Sequence, residues 1–117
     1  MAAINSINSD KLYRLIGTPG APLVIDVRTQ AERAQHSIEG SVHQPLNGLR
    51  AATLGVPKKR PLVVFCAGGY RSSIAASLLQ REGFTNVSEL AGGMTAWESA
   101  GLPVSPGVPD TERPVVP

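Results

Sequence analysis

The chain has one cysteine, Cys66, and only two histidines, His36 and His43. An internal disulfide is therefore excluded, and with no C-x-x-C pair a structural zinc site lacks its ligands. Aromatic residues are 4% of the 117 positions, so a core must come from Val, Ile, Leu and Ala; at 42% hydrophobic there is enough of it for one domain. No apolar run reaches membrane-spanning length, and the opening MAAINSINSD lacks the charged start and apolar centre of a secretion signal. These absences predict a soluble, cytoplasmic protein. A formal charge of +2 is too small to point to nucleic acid or an anionic membrane as partner. The basic run Lys58-Lys59-Arg60 reads as a solvated turn.

What is present alternates. Leu12, Leu15 and Ile16 share a helical face, with Asn8 or Ser9 as N-cap and Gly17 as the stop. LVIDVR, 23–28, is a short apolar run ending in charge and predicts a buried strand; TQAERAQH predicts a short helix, SVHQP a short strand ending at Pro45, and LNGLRAATLG has weak helical character. PLVVFC predicts a second buried strand. Ile74, Ala75, Leu78 and Leu79 mark a helix over 72–84, closed by Arg81, Glu82 and Gly83. NVSEL predicts another strand, and MTAWESAG a last helix ending at Gly101. Strands alternating with helices imply parallel pairing and a layered α/β domain, expected over 1–105. From Pro103 onward stand five of the ten prolines and no apolar periodicity, so 106–117 is expected to be an extended tail or linker.

The stretch with chemical content is CAGGYRS, Cys66 to Ser72, at the seam between a strand and a helix. In a parallel sheet that seam is where ligands bind. Gly68 and Gly69 tolerate positive φ and carry no side chains, so backbone N–H groups can turn inward around an anion, and the helix start adds its own unsatisfied N–H groups. Arg71 either adds a full charge or ties the loop to an acidic residue. All of this favours a thiolate at Cys66. A thiol of pKa near 8.5 is about 3% ionised at pH 7, and lowering it by ~2 units gives roughly 75%. The same shift costs about eightfold in intrinsic nucleophilicity, leaving a net gain of about threefold. Acidity alone does not account for such a loop; a cradle that also holds an anionic substrate or covalent intermediate does.

With these residues in view, the sequence resembles the rhodanese family of sulfurtransferases, which carry sulfur as a cysteine persulfide. The resemblance runs from about Asn8 to Ser105 on three ordered motifs: LVIDVRTQAERAQHSIEGS for D-x-R…E…H-I-x-G, CAGGYRS for C-x-x-G-x-R-S, and LAGGMTAWESAGLPV for G-G-x-x-A-W-x-x-x-G-x-P-V. It implies a three-layer domain, a parallel central sheet flanked by helices. It further implies that Cys66 is the sulfur-accepting nucleophile and that Ala67, Gly68, Gly69, Tyr70, Arg71 and Ser72 form the substrate loop, their amides holding the outer sulfur. Asp26, Arg28 and Glu32 match supporting charged positions, expected to brace the loop as ion pairs. No cofactor or metal is implied. The donor is expected to be thiosulfate or a low-molecular-weight persulfide such as glutathione persulfide, and the acceptor an external thiol or cyanide, because no resolving cysteine exists.

The loop also separates this chain from phosphatases and arsenate reductases of the C-x5-R type. Cys66 to Arg71 is one residue shorter, a ring suited to one sulfur rather than a tetrahedral oxyanion. Two positions depart from the family. Ser37 stands where the family has His, with His36 beside it, and Ala67, Gly68 and Gly69 leave Arg71 as the only loop cation, which puts thiosulfate as donor in doubt. Tyr70 reads equally as a rim residue and as an exposed loop aromatic; Trp97 reads as core. CAGGYRSSIAASLL is also similar to rhodanese domains working beside persulfide dioxygenases, a possible partner. The alternative to a free-standing enzyme is a sulfur-relay or sensing module that discharges only to a partner protein.

Overall fold

Along PLVVFC the side chains alternate: Leu62, Val64 and Cys66 are buried with Ala75, Ala76 and Leu79 on one face of a sheet, while Val63 and Phe65 are buried with Leu12, Met94 and Trp97 on the other. Both faces of this strand are thus covered, as a continuous run of branched residues requires. The computed structural model describes residues 5–50 and 54–106. In chain order they form β1 (Asn5–Ile7), α1 (Ser9–Leu15), β2 (Leu23–Asp26), α2 (Gln30–Gln35), β3 (His36–Ile38), β4 (Val42–His43), a 3-10 turn (Leu46–Gly48), β5 (Leu62–Phe65), α3 (Tyr70–Arg81), β6 (Val87–Leu90), α4 (Gly93–Ser99) and β7 (Val104–Pro106).

Five strands make one parallel sheet in the order β1-β6-β5-β2-β4, and β3 pairs with β7 in a small antiparallel sheet. The register sets Asp26 opposite Phe65 and Val64 opposite Glu89. Helix α3 covers one face and α1 with α4 the other, which is the expected three-layer α/β architecture. Asn8 caps α1, accepting the Lys11 N–H at 2.8 Å. Thr29 caps α2 in a reciprocal box with Glu32. Helix α3 ends as its sequence predicts, with Gly83 at φ +103° and the Phe84 N–H returning to the Leu79 carbonyl. Trp97 is core, as expected, at 1% exposure.

Two expectations change, and strands β1 and β3 were not foreseen. Helix α3 begins at Tyr70, two residues before the expected Ser72, because Gly69 takes φ +119° and turns the chain straight into the helix. Strand β1 was not legible, since only Ile7 of its three residues is buried. Val104–Pro106, expected to be unpaired extended chain, is strand β7, running one residue past the expected domain boundary. The tail beyond it, 107–117, lies outside the described residues, as do 51–53 of the weakly helical stretch; the described part of that stretch includes the 3-10 turn, the buried Leu49 and Leu54, which is helical and packs against the core. Lys58 is in a turn as expected, with its ammonium on the Glu82 carbonyl and over the Phe84 ring. Among the described residues no helix is long and apolar enough to cross a membrane.

Candidate active site

The alternation along β5 aims the Cys66 side chain at the start of α3. Its sulfur is buried, the residue 1% exposed, and accepts the Gly69 N–H at 3.1 Å and the Ser72 N–H at 3.4 Å; the Ser72 hydroxyl lies 3.6 Å away. Burial pushes the thiol up, but the Ser72 hydroxyl and the amides of Ser72, Gly69 and Gly68 outweigh it and hold the pKa below its ordinary value. Ser72 is completely buried. Its hydroxyl donates to the Gly69 carbonyl at 3.0 Å, and the Ser73 hydroxyl reaches both that carbonyl and the Glu89 carboxylate.

The amides point inward because the carbonyls are held outward. The first turn of α4 binds the loop: the Met94 N–H donates to the Cys66 carbonyl at 2.8 Å and the Thr95 N–H to the Ala67 carbonyl at 3.1 Å. This approach needs Gly93, at φ +56°, where a Cβ would lie 2.2 Å from the Cys66 oxygen. The G-G of LAGGM is thus a clamp on the loop. The sequence carries the signal in the paired glycines before a helix, but not the target.

Of the other expected site residues, Arg71 is held in a bidentate pair with Glu32, at 2.6 and 2.8 Å. The Arg71 guanidinium chiefly, opposed by partial burial and helped by Thr29, pulls the Glu32 carboxyl down to about 2, and Glu32 raises Arg71. Glu32 therefore braces the loop, joining the start of α2 to the start of α3. Asp26 and Arg28 do not meet the loop in this way. Asp26 shares the face of Phe65, and its carboxylate accepts the Arg28 guanidinium at 2.9 and 3.0 Å, the Ser37 hydroxyl at 2.9 Å and Arg33 at 3.3 Å. Arg28 also lies 5.7 Å from the Phe65 ring and donates to the His36 carbonyl. This buried network ties β2 to β3 on the face opposite Cys66. Arg33 and Ser41 belong to it without any sequence pattern announcing them, and so does Ser37, the residue standing at the family's His position. His36 faces Glu98 at 2.9 Å and His43 the Arg28 carbonyl at 2.8 Å.

Tyr70 is 80% exposed, on the rim rather than in the cradle. Between Arg71, Val27, Thr29, Leu46 and Asn47 opens a cleft of about 100 Å³. A larger hollow of about 420 Å³ lies at the opposite edge of the sheet, by Pro22, Pro61 and Asn86, remote from Cys66. Among the described residues no cluster of His, Cys, Asp or Glu could hold a metal ion.

Comparison with known proteins agrees with this geometry. Residues 8–100 match the rhodanese-like domain family. A sulfurtransferase of Allochromatium vinosum is 34% identical over 101 residues, covering 86% of this chain and 94% of the relative. The thiosulfate sulfurtransferase GlpE of Pseudomonas fluorescens is 36% identical over 77 residues, covering 66% and 71%. In structure, the rhodanese-like domain of the Anabaena Alr3790 protein superposes with a TM-score of 0.81 at 29% identity, covering 98% of this chain and 88% of that one. A rhodanese-related protein of Thermoplasma volcanium gives 0.76 at 34% identity, with 86% and 97% covered. The motifs, the layered parallel sheet and the amide-lined cysteine loop agree with these matches, and the chain belongs to the rhodanese-like domain family.

Proposed function

We propose that the chain is a rhodanese-type sulfurtransferase in which Cys66 accepts a sulfane sulfur and passes it on. The observation that carries this reading is the position of the Cys66 sulfur, buried against inward-facing amides at the head of α3. In the loading step the Cys66 thiolate attacks the outer sulfur of the donor. The donor's S–S bond breaks, and its remainder leaves with the electron pair as sulfite or a thiolate. The amides from Ala67 to Ser72 then stabilise the outer sulfur of the persulfide as an anion. An external nucleophile removes that sulfur and regenerates the thiolate, completing a two-step cycle.

The donor is read from charge. Arg71 is the loop's only cation and is neutralised by Glu32, so a doubly charged thiosulfate finds no uncompensated positive group there. A low-molecular-weight persulfide such as glutathione persulfide brings one charge at its reacting sulfur, its other charges lying on groups away from the S–S bond, and suffers less from that lack. Tyr70 and the exposed Ile74 one turn further put apolar surface on the rim, which favours a docked protein acceptor as the second reading.

The test is intact mass of the reduced protein after separate exposure to thiosulfate and to glutathione persulfide, with Cys66→Ser as control. Wild type is expected to gain one sulfur and to lose it to cyanide or a small thiol, loading faster from the persulfide. Failure of both donors to load Cys66 would overturn the reading; a persulfide stable to small acceptors would favour the relay.

A further inference from the structure

The Ser72 hydroxyl has one proton and two acceptors within reach. With Cys66 as a thiol, the S–H donates to the Ser72 oxygen at 3.6 Å and the Ser72 proton goes to the Gly69 carbonyl at 3.0 Å. With Cys66 charged, the sulfur has no proton to give and becomes the better acceptor. Turning the hydroxyl to the sulfur does not orphan the Gly69 carbonyl, which keeps the Ser73 N–H at 3.3 Å. Ser72 is fully buried, so no water competes for its proton.

We infer that Ser72 is a catalytic residue whose hydroxyl follows the charge on the Cys66 sulfur, donating to it as the leaving group when the persulfide is discharged. This rests on the persulfide cycle proposed above. With cyanide as acceptor the step balances without a proton. The cyanide carbon forms a bond to the outer sulfur of Cys66–S–S⁻, and the S–S bond breaks with its electron pair passing to the Cys66 sulfur. Thiocyanate departs and a thiolate remains, with the Ser72 proton turned from Gly69 to that sulfur. The Gly69 and Ser72 amides already donate to the Cys66 sulfur, and the hydroxyl adds a third donor to it as its charge develops.

The role separates the two half-reactions. Loading consumes charge on the Cys66 sulfur and discharge creates it, so removing the donor raises the thiol pKa and leaves a more basic nucleophile. In Ser72→Ala, loading measured well above the thiol pKa should stay within about twofold of wild type, while its pH profile moves upward. Discharge to cyanide, followed as thiocyanate release from preloaded protein in a single turnover, should slow by about tenfold or more, the worth of one hydrogen bond to a charged group. Ser72→Thr keeps the hydroxyl and should restore discharge. Should Ser72→Ala not fold, Ser72→Thr and Ser72→Val, alike in shape and differing in the hydroxyl, make the same comparison. Equal slowing of both half-reactions, or discharge as fast as wild type, would overturn the assignment. A wild type that never loads would instead remove the cycle itself.

Discussion

Glu32 and Arg71 carry the charge balance of the site. Glu32 has its pKa held at about 2 in the folded chain, below the ordinary value of 4.5, by the Arg71 guanidinium first and by Thr29. A carboxyl depressed on folding contributes stability that is complete above its unfolded pKa and is lost as pH falls through the folded one. Wild type is therefore expected to lose Tm between about pH 5 and pH 2 more steeply than Glu32→Gln, as thermal melts across that range would show. The same variant leaves Arg71 without a neutralising carboxylate. Its KM for thiosulfate should fall by a few-fold at low ionic strength, and the gain should fade as salt is added; an unchanged KM would mean that Arg71 does not face the donor. In the sequence, Cys66 and the glycines beside it were legible because a strand-to-helix seam is a recognisable place for an anion. Arg71 offered two uses and the residues did not choose between them, since its partner stands 39 positions away.

At the scale of elements, the loop is shaped by a helix that follows it much later in the chain. The N-terminal turn of α4 holds the Cys66 and Ala67 carbonyls, and only a glycine at 93 permits the approach. Gly93→Ala is expected to destabilise the fold by about 2 kcal/mol or more, from the steric clash and the left-handed backbone together. Where the variant still folds, by circular dichroism, the thiol pKa should rise and sulfur loading should drop by about tenfold, because the amides lose their fixed aim. Long elements with strong periodicity or a full apolar run, α3 and β5, were legible in the sequence. The shorter β2, α2, β4, β6 and α4 were legible as well, but β1 and β7 were not: β1 has one buried residue and β7 is bounded by prolines, so their pairing energy comes from partners distant in sequence. The Asp26 network shows the same limit. Its members Arg33, Ser37 and Ser41 meet only because α2 and β3 fold back over β2.

For the whole molecule, the two faces of the sheet divide the labour. One face joins α3 to the strand that bears Cys66, and the other packs α1 and α4 around Trp97. The Trp97 indole N–H donates to the Pro103 carbonyl at 2.8 Å, and β7 then pairs with β3, so the end of the described chain is stitched over the α4 face. Trp97→Ala should cost about 3–5 kcal/mol, read as a lowered urea midpoint, through the cavity and the lost anchor of Pro103. Because α4 also grips the loop, the surviving folded fraction should load sulfur more slowly, which a purely supporting core would not produce.

The alternation along β5 has a further meaning for how the gene tolerates change. Val64 and Cys66 face α3 while Phe65 faces Trp97. Deleting one residue within Leu62–Phe65 would leave the composition of the strand almost untouched, yet it would rotate the thiol by half a turn into the layer now filled by Phe65. The sulfur would then lie among α1 and α4, out of reach of every amide that attends it and closed to any donor. Substitution by another branched residue is a small disturbance here; a change of phase would silence the protein chemically.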